Sequence, residues 1–306
     1  MNFAAPPLVQ KSVAPSPVRL YLMVAFMIVS WALNFVIGKI ALREIPALVL
    51  PGLRIGIAAA LFLPIYFWDR RRGPRRPMQL AEAPKLILIG LCGITFNQFF
   101  FIAGLYRTSV AHMGVFIALT PVLVLLLAAA IGQERISPAK LIGMLVAMAG
   151  VVALEVANKG SSSIATPLGD LYAFLGTLAF SIYTVAGKNI ASKYGSIPMN
   201  TLAYGIGAVT LLPVSWANRE SFHIAEVSAT AWWSMAYMVV FSSVLAYLIY
   251  YYALIHIPAS RVAAFTYAEP VLAAIFGFFI LGEPLSWTLA AAGLLVLTGV
   301  WVAERA

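Results

Sequence analysis

The chain has 306 residues, 62% of them hydrophobic and only 10% charged, against roughly a quarter charged in ordinary soluble domains. Such a composition cannot supply the polar exterior of a soluble protein this long, and apolar runs of about twenty residues, the length that crosses a bilayer core of about 30 Å, recur throughout. The net charge of +9 does not point to nucleic acid. Its densest cluster, Asp69 to Arg76, fills one short loop between apolar segments, where basic residues set membrane orientation.

In chain order, residues 1–19 read as a cytoplasmic tail. The first apolar segment has no small-residue cleavage site behind it, so it reads as a retained span, not a signal peptide. Spans are expected over 20–40, 46–68, 85–106, 111–132 and 138–157, and again over 168–191, 198–217, 232–254, 259–281 and 286–303. Ser137-Pro138 carries the signature of a helix start. Residues 158–167, rich in Gly and Ser, read as a linker between two five-span domains, 20–157 and 168–303, with a short C-terminus at 304–306. The fold class expected is therefore an all-α polytopic membrane protein of ten helices. With the N-terminus inside, Lys39, Arg43, Arg54, Arg107, Lys159 and Arg219 are left outside or within spans. The other basic residues fall on the inner side, which puts both termini in the cytoplasm. Cys92 is the only cysteine, so no disulfide framework within the chain is available.

The two halves repeat each other. Residues 117–137 read IALTPVLVLLLAAAIGQERIS and 266–286 read TYAEPVLAAIFGFFILGEPLS. Pro121 and Pro270 stand 149 residues apart (270 − 121), as do Glu134 and Glu283, Ser137 and Ser286, Gly38-Lys39 and Gly187-Lys188, Gly56 and Gly205, Pro64 and Pro213, and Gly150 and Gly299. Five spans is an odd number, so the second half must enter the membrane from the opposite face. Inverted repeats of this kind recur in secondary transporters, where two equivalent halves open a shared site to either side in turn.

The phrases T-P-V-L…G-x-E-x-I-S and E-P-V-L…G-E-P-L-S, the early Trp31-Ala-Leu-Asn34 and the basic loop after the second span resemble the EamA-type domain of the drug/metabolite transporter superfamily over residues 20–303. Within it the chain looks most like the YddG-type inner-membrane exporters of amino acids, aromatic ones especially. The resemblance implies a basket of helices whose cavity is lined chiefly by spans 1, 3, 4, 6, 8 and 9. It also implies outward carriage of small metabolites by alternating access. No cofactor is expected, the partners expected are the amino-acid substrate and the lipid bilayer, and the sequence leaves the oligomeric state open, with a monomer as the expectation. Sugar-phosphate or nucleotide-sugar carriage within the superfamily is the alternative, and an intramembrane enzyme the rival from another class. No phosphate-binding loop, H-E-x-x-H or G-x-S-x-G accompanies the apolar helices, and the chain has no motif for binding a metal or nucleic acid.

The residues expected at the substrate cavity are Trp31, Asn34, Asn97, Phe101, Thr120, Tyr183, Tyr250, Thr266 and Glu269, with Pro121 and Pro270 as kinks near the centres of their spans. Proline removes an amide donor and frees the carbonyl four residues back, here those of Ile117 and Thr266. Glu269 is the sharpest signal. A mid-span carboxylate costs about 2.5–3.5 kcal/mol on insertion scales, and it can pair with a substrate ammonium, exchange protons or join a structural network. Glu134 and Glu283 read as helix-start residues. Lys39 and Lys188 read as helix-end cations, Arg54 and Glu155 as ion-pair candidates, and His112 as interfacial. Asn34, Asn97 and Gln98 suit either helix–helix adhesion or the cavity. Phe96, Phe99, Phe101, Tyr247, Tyr250 and Tyr251 supply aromatic surface for a cage or for the lipid boundary.

Overall fold

The computed structural model describes residues 15–72, 78–107, 116–157, 166–282 and 287–305. Within these the chain is helical, and the helices begin where the sequence supplies caps. Ser16 Oγ accepts from Arg19 N ahead of α1 (Pro17–Ala41), and Thr166 Oγ1 accepts from Gly169 N ahead of α7 (Pro167–Tyr194). In both, proline occupies the first turn, where its missing N–H costs nothing. Between these helices lie α2 (Leu50–Arg71), α3 (Ala83–Gly90), α4 (Asn97–Arg107), α5 (Thr120–Ala130) and α6 (Pro138–Ala157). The second half continues with α8 (Ser196–Ala217), α9 (Ala229–Tyr237), α10 (Ala246–His256), α11 (Ala259–Phe265), α12 (Ala268–Leu281) and α13 (Trp287–Arg305). Gly195 alone separates α7 from α8, and its φ of 93° is a conformation L side chains rarely adopt.

Seven helices among the described residues are long and apolar enough to cross a membrane, and three shorter apolar helices lie at Thr120–Ala130, Pro138–Ala153 and Ala291–Ala303. Their outward surface is greasy. Val209 and Phe279 are each 74% exposed, tolerable only where lipid is the solvent.

The repeat is written into the packing. α6 lies against α13 and α2 against α8, pairs that the 149-residue offset maps onto themselves. α4 and α5 pack on α7, just as their counterparts α10 and α12 pack on α1. At the α6–α13 crossing a Cβ on Gly299 would lie 2.5 Å from Gly143 O, and one on Gly150 would lie 2.9 Å from Ala292 O. The offset carries Gly143 to Ala292 and Gly150 to Gly299, so these two contacts are one contact seen twice. Both halves also widen at the same register. A π-helical segment at Leu91–Phe96 joins α3 to α4, and another at Met238–Leu245 joins α9 to α10. The helix-ending glycines slip by one: Gly132 and Gly282, with φ of 71° and 70°, are 150 residues apart.

Two sequence expectations change here. Pro121 and Pro270 do not kink continuous helices. The chain turns just before each, at 118–119 and 266–267, and each proline enters the first turn of a fresh helix, α5 or α12, where its ring fits without clash. Lys188 does not end its helix either, because α7 runs on to Tyr194. Lys159, His112, Glu283, Ser286 and the linker at 158–165 lie outside the described residues, as does the side chain of Glu155.

Candidate functional site

The broken helices border one cavity of about 140 Å³, on the order of ten times the 10–15 Å³ a single water needs, and the π segments lie just behind its wall. Each break has a local cause. The π segments release carbonyls from regular helical pairing, and side chains take them up: Trp31 Nε1–H donates to Ser242 O at 3.0 Å and the Tyr204 hydroxyl to Ser243 O at 3.0 Å. In hydrocarbon such carbonyls need partners, so these bonds hold Trp31 rigid at the cavity wall. Trp31 in turn packs on Tyr247 and Tyr250, both with ring centroids 5.4 Å away, and edge-on to Phe180 at 6.3 Å.

Seven of the expected residues line the space: Trp31, Asn34, Asn97, Phe101, Thr120, Thr266 and Glu269. Tyr183 and Tyr250 do not. Both are fully buried one layer behind the wall. Tyr183 packs on the Gly93 backbone, where a Cβ would fall 2.0 Å from its ring, and Tyr250 meets the Thr184 hydroxyl at 2.5 Å. Along wholly apolar helices the offset fixes depth but not the side faced. Tyr251 is likewise buried, whereas Phe96 and Phe99 are about 40% exposed on the outer surface. Residues that sequence reasoning did not place here include Phe35, Phe180, Thr177 and Arg54.

The wall is polar at few points. Asn97 Nδ2–H donates to Gly176 O at 3.2 Å, tying α4 to α7. Thr266 Oγ1–H donates to Ala263 O at 2.7 Å, occupying one carbonyl at the α11–α12 break. Asn34 Oδ1 and Glu269 Oε1 are buried without a hydrogen-bond partner. Glu269 is 8% exposed and stands in the first turn of α12, where the helix dipole favours an anion. No cation pairs with it among the described residues. Arg54, 7% exposed, donates from Nε–H to Ser243 Oγ at 2.7 Å, and no carboxylate among the described residues pairs with it. Among the described residues no three His, Cys, Asp or Glu side chains come together as a metal would require.

One end of the bundle is tied shut across the two halves. The Glu134 carboxylate accepts from Ser260 N at 3.1 Å, from the Ser260 hydroxyl, and from Lys140 Nζ at 3.0 Å. Gln133 Nε2–H donates across the halves to Val185 O at 3.0 Å, and within the second half Lys188 Nζ donates to Ile257 O at 2.7 Å. Glu134 was expected to serve the helix that follows it. It does serve a helix N-terminus, but that of α11 in the other half. Burial pushes its carboxyl up, yet the bonds from Ser260 and Lys140 outweigh this and hold it below its ordinary value. Ser260 stands in the first turn of α11 and Glu269 in the first turn of α12, so the length of α11 and the break after it separate this tie from the cavity.

Helices of membrane-crossing length, two halves packed under one exchange symmetry and a cavity at broken helices, apolar but for a few polar groups, define a multi-pass membrane transporter. The EamA-like transporter family matches residues 18–155 and 167–304, and the chain belongs to that family. An uncharacterized transporter of Archaeoglobus fulgidus is 29% identical over 285 residues, covering 93% of this chain and 98% of that one. A probable terminal-alkyne amino-acid exporter of Streptantibioticus cattleyicolor is 28% identical over 233 residues, covering 76% of each. A solved crystal structure shares the fold with a TM-score of 0.78 at 22% identity, covering 95% of this chain and 98% of that one.

Proposed function

We propose that this transporter exports neutral amino acids, aromatic ones among them, from the cytoplasm across the inner membrane. It does so by alternating access through ten crossings arranged as two inverted repeats, with both chain ends in the cytoplasm. The observation that carries this reading is the Glu269 carboxylate, buried without a counter-ion in a cavity walled by Trp31, Phe35, Phe101 and Phe180. An intramembrane carboxylate left unpaired by protein is costly, and a substrate ammonium supplies the missing charge. The aromatic wall accepts an apolar side chain, and its π-faces favour the cation. The similarity to a probable terminal-alkyne amino-acid exporter supports the same substrate class. A phosphorylated sugar or nucleotide is less well matched, because the described wall sets one acid against one base.

The test is counterflow. Purified protein in liposomes preloaded with unlabelled amino acid should accumulate labelled phenylalanine, tryptophan, leucine or alanine saturably, and Glu269→Ala should abolish the uptake. Running the assay with and without a proton gradient separates coupled from facilitated transport. Accumulation of none of these by folded protein would refute the reading.

A further inference from the structure

Arg54 is the residue the proposed function leaves unexplained. It sits on α2, a helix that packs along α8 and on the π segment Met238–Leu245 and contributes no other side chain to the cavity wall. A guanidinium buried to 7% exposure is costly in a membrane interior unless it is answered. What answers it in the structure is partial: one hydroxyl, Ser243 Oγ, on one of five N–H donors. Ser243 belongs to the π segment of the other half, and its carbonyl is separately held by Tyr204. The guanidinium is thus anchored through Nε, and Arg54 lines the same cavity as Glu269. A fork anchored at Nε keeps the paired donors that bind carboxylates bidentately.

The geometry points to Arg54 as the group that receives the substrate's carboxylate, making it the residue that restricts this carrier to substrates with a free acid. This rests on the amino-acid reading and sharpens it: Glu269 takes the ammonium and Arg54 the carboxylate. The cavity then binds a zwitterion whose two charges replace the counter-ions that protein does not supply. A net-neutral substrate of this kind leaves the loaded site balanced. An amine lacking the acid would satisfy Glu269 and leave Arg54 facing an empty wall.

The experiment is competition against counterflow of whichever labelled amino acid the wild-type protein exchanges. The competitors are the unlabelled acid, its carboxamide and its decarboxylated amine. On wild-type protein the acid should compete about 10-fold to 100-fold better than either analogue, the loss expected when a charged hydrogen-bond partner is left unmet. In Arg54→Gln the acid should weaken by a similar factor while the amine is unchanged, so that the preference collapses. Arg54→Lys, which keeps the charge but loses the fork, should restore only part of it. A merely structural arginine would lower the amount or stability of the carrier without erasing the difference between acid and amine. Equal competition by acid and amine on wild-type protein, or an undiminished preference in Arg54→Gln, overturns this inference alone. Exchange of no amino acid at all overturns both readings.

Discussion

Glu134→Ala removes the tie that joins the two halves beneath the cavity. Three bonds end on this carboxylate, from Ser260 N, the Ser260 hydroxyl and Lys140, and both members of the ion pair are less than a tenth exposed. Lys140 lies in the same half as Glu134, so the bonds that cross between the halves are the two from Ser260; at about 1.5–3 kcal/mol for each bond to a charged group, roughly 3–5 kcal/mol is at stake. If the opposite conformation lacks these bonds, the loss moves the equilibrium between the two by about 100-fold to several thousand-fold, at tenfold per 1.4 kcal/mol. Val185 reports on it: its carbonyl accepts the Gln133 bond and its side chain is 4% exposed. Because Cys92 is the only cysteine, Cys92→Ala gives a thiol-free background into which Val185→Cys is placed. Labelling by a membrane-impermeant maleimide applied from the cytoplasmic side should be slow with Glu134 present and at least about 100-fold faster in Glu134→Ala. Glu134→Gln, which still accepts from Ser260 but cannot pair with Lys140, should fall between. Unchanged labelling in a folded Glu134→Ala protein would show that these bonds do not hold the end closed.

Other perturbations separate further parts of the account. Gly299→Ala puts a Cβ 2.3 Å from Ala147 N at a backbone-to-backbone crossing, so it should destabilise by about 1–3 kcal/mol as overpacking does. Gly205→Ala meets nothing within 4 Å and should gain up to about 1 kcal/mol of helix propensity; melting of the purified proteins should move in opposite directions. Tyr250→Phe loses the bond to Thr184 and should cost about 1 kcal/mol of stability while leaving the transport KM unchanged, since Tyr250 stands behind the wall. The Glu134 carboxyl is held below its ordinary value of 4.5. Its contribution is therefore complete above that value and is lost as pH falls through the lowered one. The thiol's own pH dependence cancels in the ratio of Val185→Cys labelling in Glu134→Ala to that with Glu134 present. That ratio should accordingly stay flat from pH 8 to about 5 and fall toward one only under stronger acid.

The order of the helices and the doubling of the fold were legible because proline, glycine and helix-cap residues recur at a fixed offset in otherwise apolar text. Glu269 was legible for the opposite reason: an acid is conspicuous inside a span. What could not be read was rotation about each helix axis. Helices with apolar residues on every side carry little periodicity to say which face meets lipid, which a neighbour and which the cavity. Asn34 and Tyr183 occupy equivalent positions, yet one lines the cavity and the other packs on Gly93. The π segments left no signal beyond an ordinary apolar run, and without them the aim of Trp31 and Arg54 at Ser242 and Ser243 could not be foreseen. Glu134 showed its taste for a helix N-terminus but not that the helix lies in the other half. Contacts across the repeat depend on how two halves dock, which no local pattern encodes.

Alternating exposure of the cavity is the claim on which the rest depends, and a single thiol within it tests that claim most directly. Asn34→Cys in the Cys92→Ala background should react with an impermeant maleimide added to either face of oriented vesicles, and an amino acid that exchanges in the counterflow assay should protect it from both. Reaction from one face only, or reaction indifferent to substrate, would contradict the account.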